Sequence, residues 1–213
     1  MQPTSSSYFA NTSAGKPGSS LLHDDLQLPM IRRLTLIDAP AYRSFRLRGF
    51  REHPDAFTSS FEEESMCAVE HTEQRLSPAS GVRLWGAFVG GELVGMIGLI
   101  PETRQKNRHK AALVGMFVAP EHAGKGLGSA LVKALLRDAG SLGIELIVLT
   151  VTDTNKPAIG LYQKAGFVCF GTEPDAIRVD GVSFGKTHMA LALNKAGLPA
   201  NWTAPESTQK PDH

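Results

Sequence analysis

Two short apolar stretches, residues 82–89 and 93–100, are joined at Gly90-Gly91. Runs of this length and composition predict strands, and a Gly-Gly pair accepts the positive φ values of a two-residue turn, so they pair as an antiparallel hairpin. A basic, polar loop over 101–110 leads to a third strand at 111–118, which completes a three-stranded meander. From Leu127 to about Gly140 the period lengthens. Leu127, Leu131, Leu135 and Ala139 share one helical stripe while Lys133 and Arg137 lie off it, the pattern of a helix packed on a sheet. Residues 144–151 are nearly all apolar and rich in β-branched side chains, as a central strand covered on both faces requires. Strand, crossover helix and buried strand make a βαβ unit, so 111–118 and 144–151 are expected to run parallel.

Upstream, 31–37 mixes arginines with apolar residues as an edge strand does, and Asp38 is placed to cap a helix reaching about Arg51. His53-Pro54 interrupts the chain before a second helix over 61–76, whose first turn holds Glu62, Glu63 and Glu64 where carboxylates favour the helix dipole. Downstream come a helix at 157–164, a stop at Gly166, and strands near 167–171 and 188–193, the last expected to close one edge of the sheet. Asp180-Gly181 favours a further hairpin turn. The fold class is therefore mixed α/β, with about six to seven strands and about four helices. Residues 1–28 and 196–213 are rich in Ser, Thr, Gly and Pro and are read as disordered tails around one domain at 29–195.

Composition narrows the function classes. With 22 Lys and Arg against 21 Asp and Glu in 213 residues, the net charge of +1 points to no nucleic-acid partner. No apolar run approaches the ~18 residues of a membrane span, and the N-terminus lacks the basic and apolar regions of a secretion signal, so a cytoplasmic protein without membrane attachment is expected. Cys67 and Cys169 fit no ligand spacing, and neither do the seven histidines, so no metal site and reduced thiols are expected.

The most informative run joins the third strand to the long helix: Val114-Gly115-Met116-Phe117-Val118, then Ala119-Pro120-Glu121-His122-Ala123-Gly124-Lys125-Gly126-Leu127-Gly128-Ser129. Three alternating glycines let backbone N–H groups turn inward, and the helix beginning there adds unpaired donors and the positive end of its dipole, a pocket suited to a pyrophosphate. A P-loop is excluded because Gly126 stands where Ser or Thr must follow Gly-Lys, and Ala119 where its first Gly belongs. A dinucleotide fingerprint starting at Gly124 would put Ser129 at its third glycine.

This run, together with Asn155-Lys156-Pro157-Ala158-Ile159-Gly160-Leu161-Tyr162-Gln163-Lys164-Ala165-Gly166-Phe167, resembles the GCN5-related N-acetyltransferase (GNAT) superfamily over roughly residues 29–195. The first segment is similar to the family's acetyl-coenzyme A pyrophosphate motif and the second to its Asn…Ala…Leu-Tyr…Gly-Phe segment. The resemblance implies a sheet whose two parallel central strands splay apart to admit the pantetheine arm of acetyl-CoA. It implies backbone contacts from Met116, Phe117 and Val118, and a pyrophosphate cradle at Ala123, Gly124, Lys125, Gly126, Leu127, Gly128 and Ser129. It further implies a cofactor contact at Asn155, which also reads as a helix N-cap, and Tyr162 as general acid to the departing thiolate. Ala123 departs from the motif, since it falls where Arg or Gln is usual.

The activity implied is acetyl transfer to a primary amine of a small or amino-acid-like acceptor by direct attack. A phenol near pKa ~10 facing a thiol near ~8.5 makes full proton transfer uphill by roughly 2 kcal/mol, so Tyr162 is expected to act chiefly as a hydrogen-bond donor. Thr150 occupies the position where some family members carry a basic Glu; Glu62, Glu63, Glu64 and His109 are the substitutes the sequence offers. Arg104, Lys106, Arg108, His109 and Lys110 form a basic segment able to attract an anionic acceptor. A peptide or protein N-acetyltransferase and a non-catalytic acyl-CoA-binding module are the alternative readings, and a homodimer is left open.

Overall fold

The computed structural model describes residues 28–193. The expected tails at 1–28 and 196–213 lie outside the described residues, Leu28 excepted. Seven strands form one mixed sheet: β1 (Met30–Arg33), β2 (Arg83–Val89), β3 (Glu92–Pro101), β4 (Lys110–Val118), β5 (Leu146–Thr152), β6 (Val168–Val179) and β7 (Val182–Ala192), in the order β1-β2-β3-β4-β5-β7-β6. β4 and β5 are parallel and every other neighbouring pair is antiparallel. Five helices accompany them: α1 (Ala39–Glu52), α2 (Phe61–Met66), α3 (Val69–Leu76), α4 (Leu127–Ser141) and α5 (Lys156–Lys164).

Strand alternation divides the apolar residues between two faces. Ile97, Leu99, Ile147 and Leu149 meet Leu127, Leu131 and Leu135 of α4 on one face, and the expected helical stripe is buried there through Ala139. Leu84, Phe88, Met96 and Phe117 meet Tyr42 and Phe45 of α1 on the other. Burying a Leu- or Phe-sized side chain contributes ~1.5–3 kcal/mol, so helices on both faces hold the central strands in place. The predicted turns form at Gly90-Gly91, with φ of 61° and 84°, and at Asp180-Gly181, with φ of 50° and 80°.

Four expectations shift. β1 ends at Arg33, and Leu36–Asp38 forms a 3-10 turn. Asp38 does not cap α1 with its side chain; its carboxylate accepts from the Thr35 N–H and hydroxyl (2.8 and 3.1 Å) and from both Nη atoms of Arg32 (2.8 and 2.7 Å). The predicted helix over 61–76 breaks at extended Cys67 and Ala68, where Arg43 donates to the Ser65 and Cys67 carbonyls that helix bonds would otherwise use. The last strand does not close the sheet. β7 is inserted between β5 and β6 because the Asp180-Gly181 hairpin folds it back inside, leaving β6 at the edge.

The Arg32 guanidinium holds the Asp38 carboxyl down from its ordinary 3.8 to about 2. A depressed folded-state pKa contributes stability that is present above the unfolded value and lost as pH falls through the folded one. Asp38→Ala should therefore cost about 1–2 kcal/mol at pH 7, discounted for the part-exposed Arg32. Urea denaturation should show that difference shrinking between pH 4 and pH 2; a gap independent of pH over that interval would contradict the assignment.

Candidate active site

β4 and β5 pair only at Lys110–Leu146, Ala111–Ile147 and Ala112–Val148. Beyond these the strands part. On its other side β4 departs from regular pairing, since the register with β3 skips between Met96–Phe117 and Gly98–Val114, and the inserted residue region contains Gly115 at φ 61°. This is a β-bulge that bends the strand at the gap, and its left-handed residue favours glycine.

The backbone direction beyond the bulge follows from one hydrogen bond. The Ala119 N–H donates to the Val94 carbonyl at 2.9 Å. Alternation then gives Phe117 to β3 through Met96 and turns the N–H and C=O of Val118 to the open side. The Met116 carbonyl, anti to the Phe117 N–H across a trans peptide, also faces that side. Of the three residues expected to contact pantetheine, Met116 and Val118 thus have backbone groups at the gap, while the Phe117 side chain packs 4.9 Å from the Phe45 ring centroid.

A cleft of about 470 Å3 runs along this open edge. It is lined by Met116, Phe117, Val118, Ala123, Gly124, Gly126, Leu127, Gly128, Ser129 and Asn155, and by no acidic side chain. Gly124 and Gly126 take φ of 74° and 80°, so the loop turns through left-handed conformations that side chains resist. The Ala130 N–H bonds the Gly126 carbonyl, so the N–H groups of Leu127, Gly128 and Ser129 precede the first α4 ladder bond and are open as donors. A Cβ on Gly128 would stand 3.0 Å from the Met116 Cε and 3.1 Å from Leu161, so glycine lets α4, β4 and α5 converge here. A diphosphate suits such a cradle. Glu121, the loop's own carboxylate, is bridged by both Nη atoms of Arg48 at 2.8 Å, which lowers its pKa to about 2 and ties the loop to α1. Lys125, expected in the cradle, is exposed and does not line the cleft.

A second cavity of about 300 Å3 opens on the other side of the gap. It shares Ala56, Phe57, Met116, Asn155 and Ala158 with the first and adds Thr150, Tyr162, Arg46, Arg75 and Lys186. Tyr162 is 5% exposed, packs against Phe167, and has its pKa raised by burial alone. Lys186, also 5% exposed, donates to the Thr152 hydroxyl at 2.9 Å and to the Asp55 and Ala56 carbonyls at 3.3 and 3.5 Å; burial pushes its pKa down. Thr152 in turn donates to the Asp55 carbonyl. These bonds pin the 54–56 turn over the gap.

The expected base substitutes are elsewhere. Glu63 completes the capping box with Ser60, and Glu64 bridges Arg46 at 2.8 and 3.2 Å. Burial opposes ionisation of Glu64, yet Arg46 and the more distant Arg75 keep its pKa below the ordinary range. Neither Glu62 nor any residue of 102–110 lines the second cavity. Sequence reasoning missed His53, Phe57 and Leu161 in the first cavity and Arg46, Arg75, Thr152 and Lys186 in the second. Thr152 and Lys186 meet as cross-strand partners on β5 and β7, a pairing that only the folded register supplies.

Among the described residues, no helix is long and apolar enough to cross a membrane, and no three His, Cys, Asp or Glu residues are grouped to hold a metal. Comparison with known proteins matches residues 47–167 to the Acetyltransferase (GNAT) family. The chain is 37% identical over 86 residues to the spermine/spermidine N(1)-acetyltransferase of Bacillus subtilis (strain 168), covering 38% of this chain and 57% of that one. It is 31% identical over 101 residues to the L-amino acid N-acetyltransferase AaaT of Escherichia coli (strain K12), covering 47% and 62%. The matches thus span less than two thirds of each relative. In fold, it resembles an acetyltransferase of the GNAT family from Streptococcus pneumoniae, with TM-score 0.72 at 24% identity, covering 78% of this chain and 100% of that one. It also resembles yncA from Salmonella typhimurium, whose structure holds its cofactor acetyl-CoA, with TM-score 0.67 at 21% identity over 82% and 99% of the two chains.

Asn155 has a structural role that is measurable apart from any ligand. Its Oδ1 accepts from the Ala158 N–H at 3.1 Å and caps α5. Asn155→Ala should cost about 1 kcal/mol of stability, a fall of roughly 2–4 °C in the thermal midpoint. An unchanged midpoint would show that the cap is dispensable.

Proposed function

The chain belongs to the acetyltransferase (GNAT) family, and on that premise we propose that it transfers the acetyl group of acetyl-CoA to a primary amine of a small or amino-acid-like acceptor, with both substrates bound together. The observation that carries this reading is the meeting of two cavities at the strand gap, with Met116, Asn155 and Ala158 common to both. A thioester in the gap is reachable by an amine from the opposite side. The reading assigns the catalytic unit to residues 29–195.

Acetyl-CoA supplies the activated acyl group. The N–H groups of Leu127, Gly128 and Ser129 hold the diphosphate, with the glycine loop shaping the approach. Open-side backbone groups of Met116 and Val118 take the place of ladder partners for the extended pantetheine amides. A backbone N–H on this edge of β4 is positioned to hold the carbonyl oxygen as charge develops there, a contribution of about 3–4 kcal/mol for one such donor. The Ala123 methyl adds no donor, so phosphate binding rests on main-chain groups and the helix dipole.

Tyr162 faces the acceptor cavity with its pKa raised, so its hydroxyl stays protonated across the neutral range and donates to the departing sulfur. Outright proton transfer to sulfur is correspondingly harder. The acceptor amine, ordinarily near pKa ~10.4, must shed a proton before it attacks. Thr150 cannot accept that proton, and it leaves through water at the cavity mouth.

Tyr162→Phe preserves the ring and its packing while removing the donor. Acetyl-CoA-dependent thiol release should fall about 10²-fold, with cofactor affinity measured by calorimetry changing less than about threefold. Undiminished turnover would remove Tyr162 from the chemistry. Separately, Gly126→Ala forces a side chain into a left-handed conformation, a cost of about 1–2 kcal/mol. Acetyl-CoA should bind about tenfold more weakly; unchanged affinity would detach the glycine loop from the diphosphate.

A further inference from the structure

The second cavity is unusual in its charge. Its lining includes Arg46, Arg75 and Lys186 and no acidic residue. Arg46 is neutralised from behind by Glu64 in a two-point bridge. The other two cations meet carboxylates only at longer range, Glu64 from Arg75 and Asp55 and Asp153 from Lys186. Among the described residues, no carboxylate lies within ion-pairing distance of Arg75 or Lys186. Lys186 touches only neutral oxygens, and the Arg75 Nε is buried without a hydrogen-bond partner. A buried guanidinium donor without an acceptor carries a desolvation penalty that a bound anion relieves.

We propose that Arg75, assisted by the charge of Lys186, is an anion subsite that anchors a carboxylate on the acceptor, so that the enzyme acetylates small amino acids rather than polyamines or simple amines. This rests on the acetyl-transfer reading above and names the acceptor class of that site. The planar guanidinium matches a carboxylate by paired N–H donors, whereas the compact Lys186 ammonium is already committed to the 54–56 turn. A cavity of about 300 Å3 is at the small end of ligand sites, which favours a free amino acid over a peptide. A polyamine would bring positive charge against two cations that no carboxylate directly pairs. The same charges disfavour the ammonium form of a bound acceptor, which eases deprotonation where Thr150 supplies no base.

The exposed basic segment at 104–110, the attraction for an anionic acceptor suggested by sequence, has no part in this site because none of its residues reaches the cavity. Arg75 instead comes from α3, and its signal in the sequence is indistinguishable from that of any solvated helix arginine.

The test is a thiol-release screen with acetyl-CoA over the L-amino acids, their decarboxylated amines and spermidine. Amino acids should be preferred over their matched amines by at least tenfold in kcat/KM, and Arg75→Gln should raise KM for the best amino acid about 10- to 100-fold, as for loss of a charged hydrogen bond. The variant's KM for acetyl-CoA should change less than about threefold, and Arg75→Lys should recover part of the loss. A matched carboxylate lacking the amine should compete with the acceptor in the wild-type enzyme, a readout that holds even where the variant folds poorly. Equal turnover of amines and amino acids, or a spermidine preference, overturns the anion subsite and leaves acetyl transfer standing. Acetyl-CoA binding without turnover of any acceptor overturns the acetyl-transfer reading and this one with it.

Discussion

Three ladder pairs between β4 and β5, followed by divergence, are the constraint on which the rest of the molecule depends. A sheet interior that opens must leave backbone donors and acceptors without strand partners, and such groups are costly unless water or a ligand takes them. The bulge around Gly115 provides the bend, and the α4 and α1 packing on opposite faces prevents the two halves from closing or falling apart. Gly128 permits α4 to approach β4 and α5 beyond the last paired residues. Lys186 and Thr152 fasten the 54–56 turn across it. The gap is therefore maintained by packing and polar contacts distributed over most of the described chain.

What the sequence made legible is what local physics encodes. The glycine pairs at 90–91 and the Asp180-Gly181 step specify their own turns, and the Leu127 to Ala139 stripe specifies its buried face. The glycine bend before α4 was legible as a left-handed turn, with Gly124 and Gly126 at φ of 74° and 80°. Long-range competition was not legible. Nothing near Cys67 announces that Arg43 will take the carbonyls of a helix twenty residues away. The inward place of β7 depends on a hairpin partner whose own edge signal, Glu173-Pro174-Asp175, lies in the part of β6 beyond the expected strand at 167–171. The second cavity was the least readable part, because Arg46, Arg75, Thr152 and Lys186 come from four separate elements. The acidic cluster at 62–64 was misleading for the same reason: its charges are consumed by a cap and by Arg46.

The two cavities divide the work by electrostatics of one sign. On one side, main-chain N–H groups and a helix terminus present partial positive charge at a loop without a donor side chain at Ala123. On the other, two cationic side chains line the cavity without a direct ion pair among the described residues. Tyr162, kept neutral by burial, lines the second cavity. On the proposed acetyl-transfer reading, this arrangement lowers the need for a carboxylate base, because a positive surround favours an uncharged amine, and it reconciles Thr150 with that reading.

Amide hydrogen exchange with and without acetyl-CoA tests the central claim most directly, since a cofactor in the gap meets only those N–H groups that face the open side of β4. Acetyl-CoA should slow exchange at Val118 and at Leu127, Gly128 and Ser129, while the Phe117 amide, already committed to β3, stays unchanged by comparison. Saturating acetyl-CoA that leaves Val118 and the first turn of α4 unprotected would contradict a cofactor seated in the strand gap.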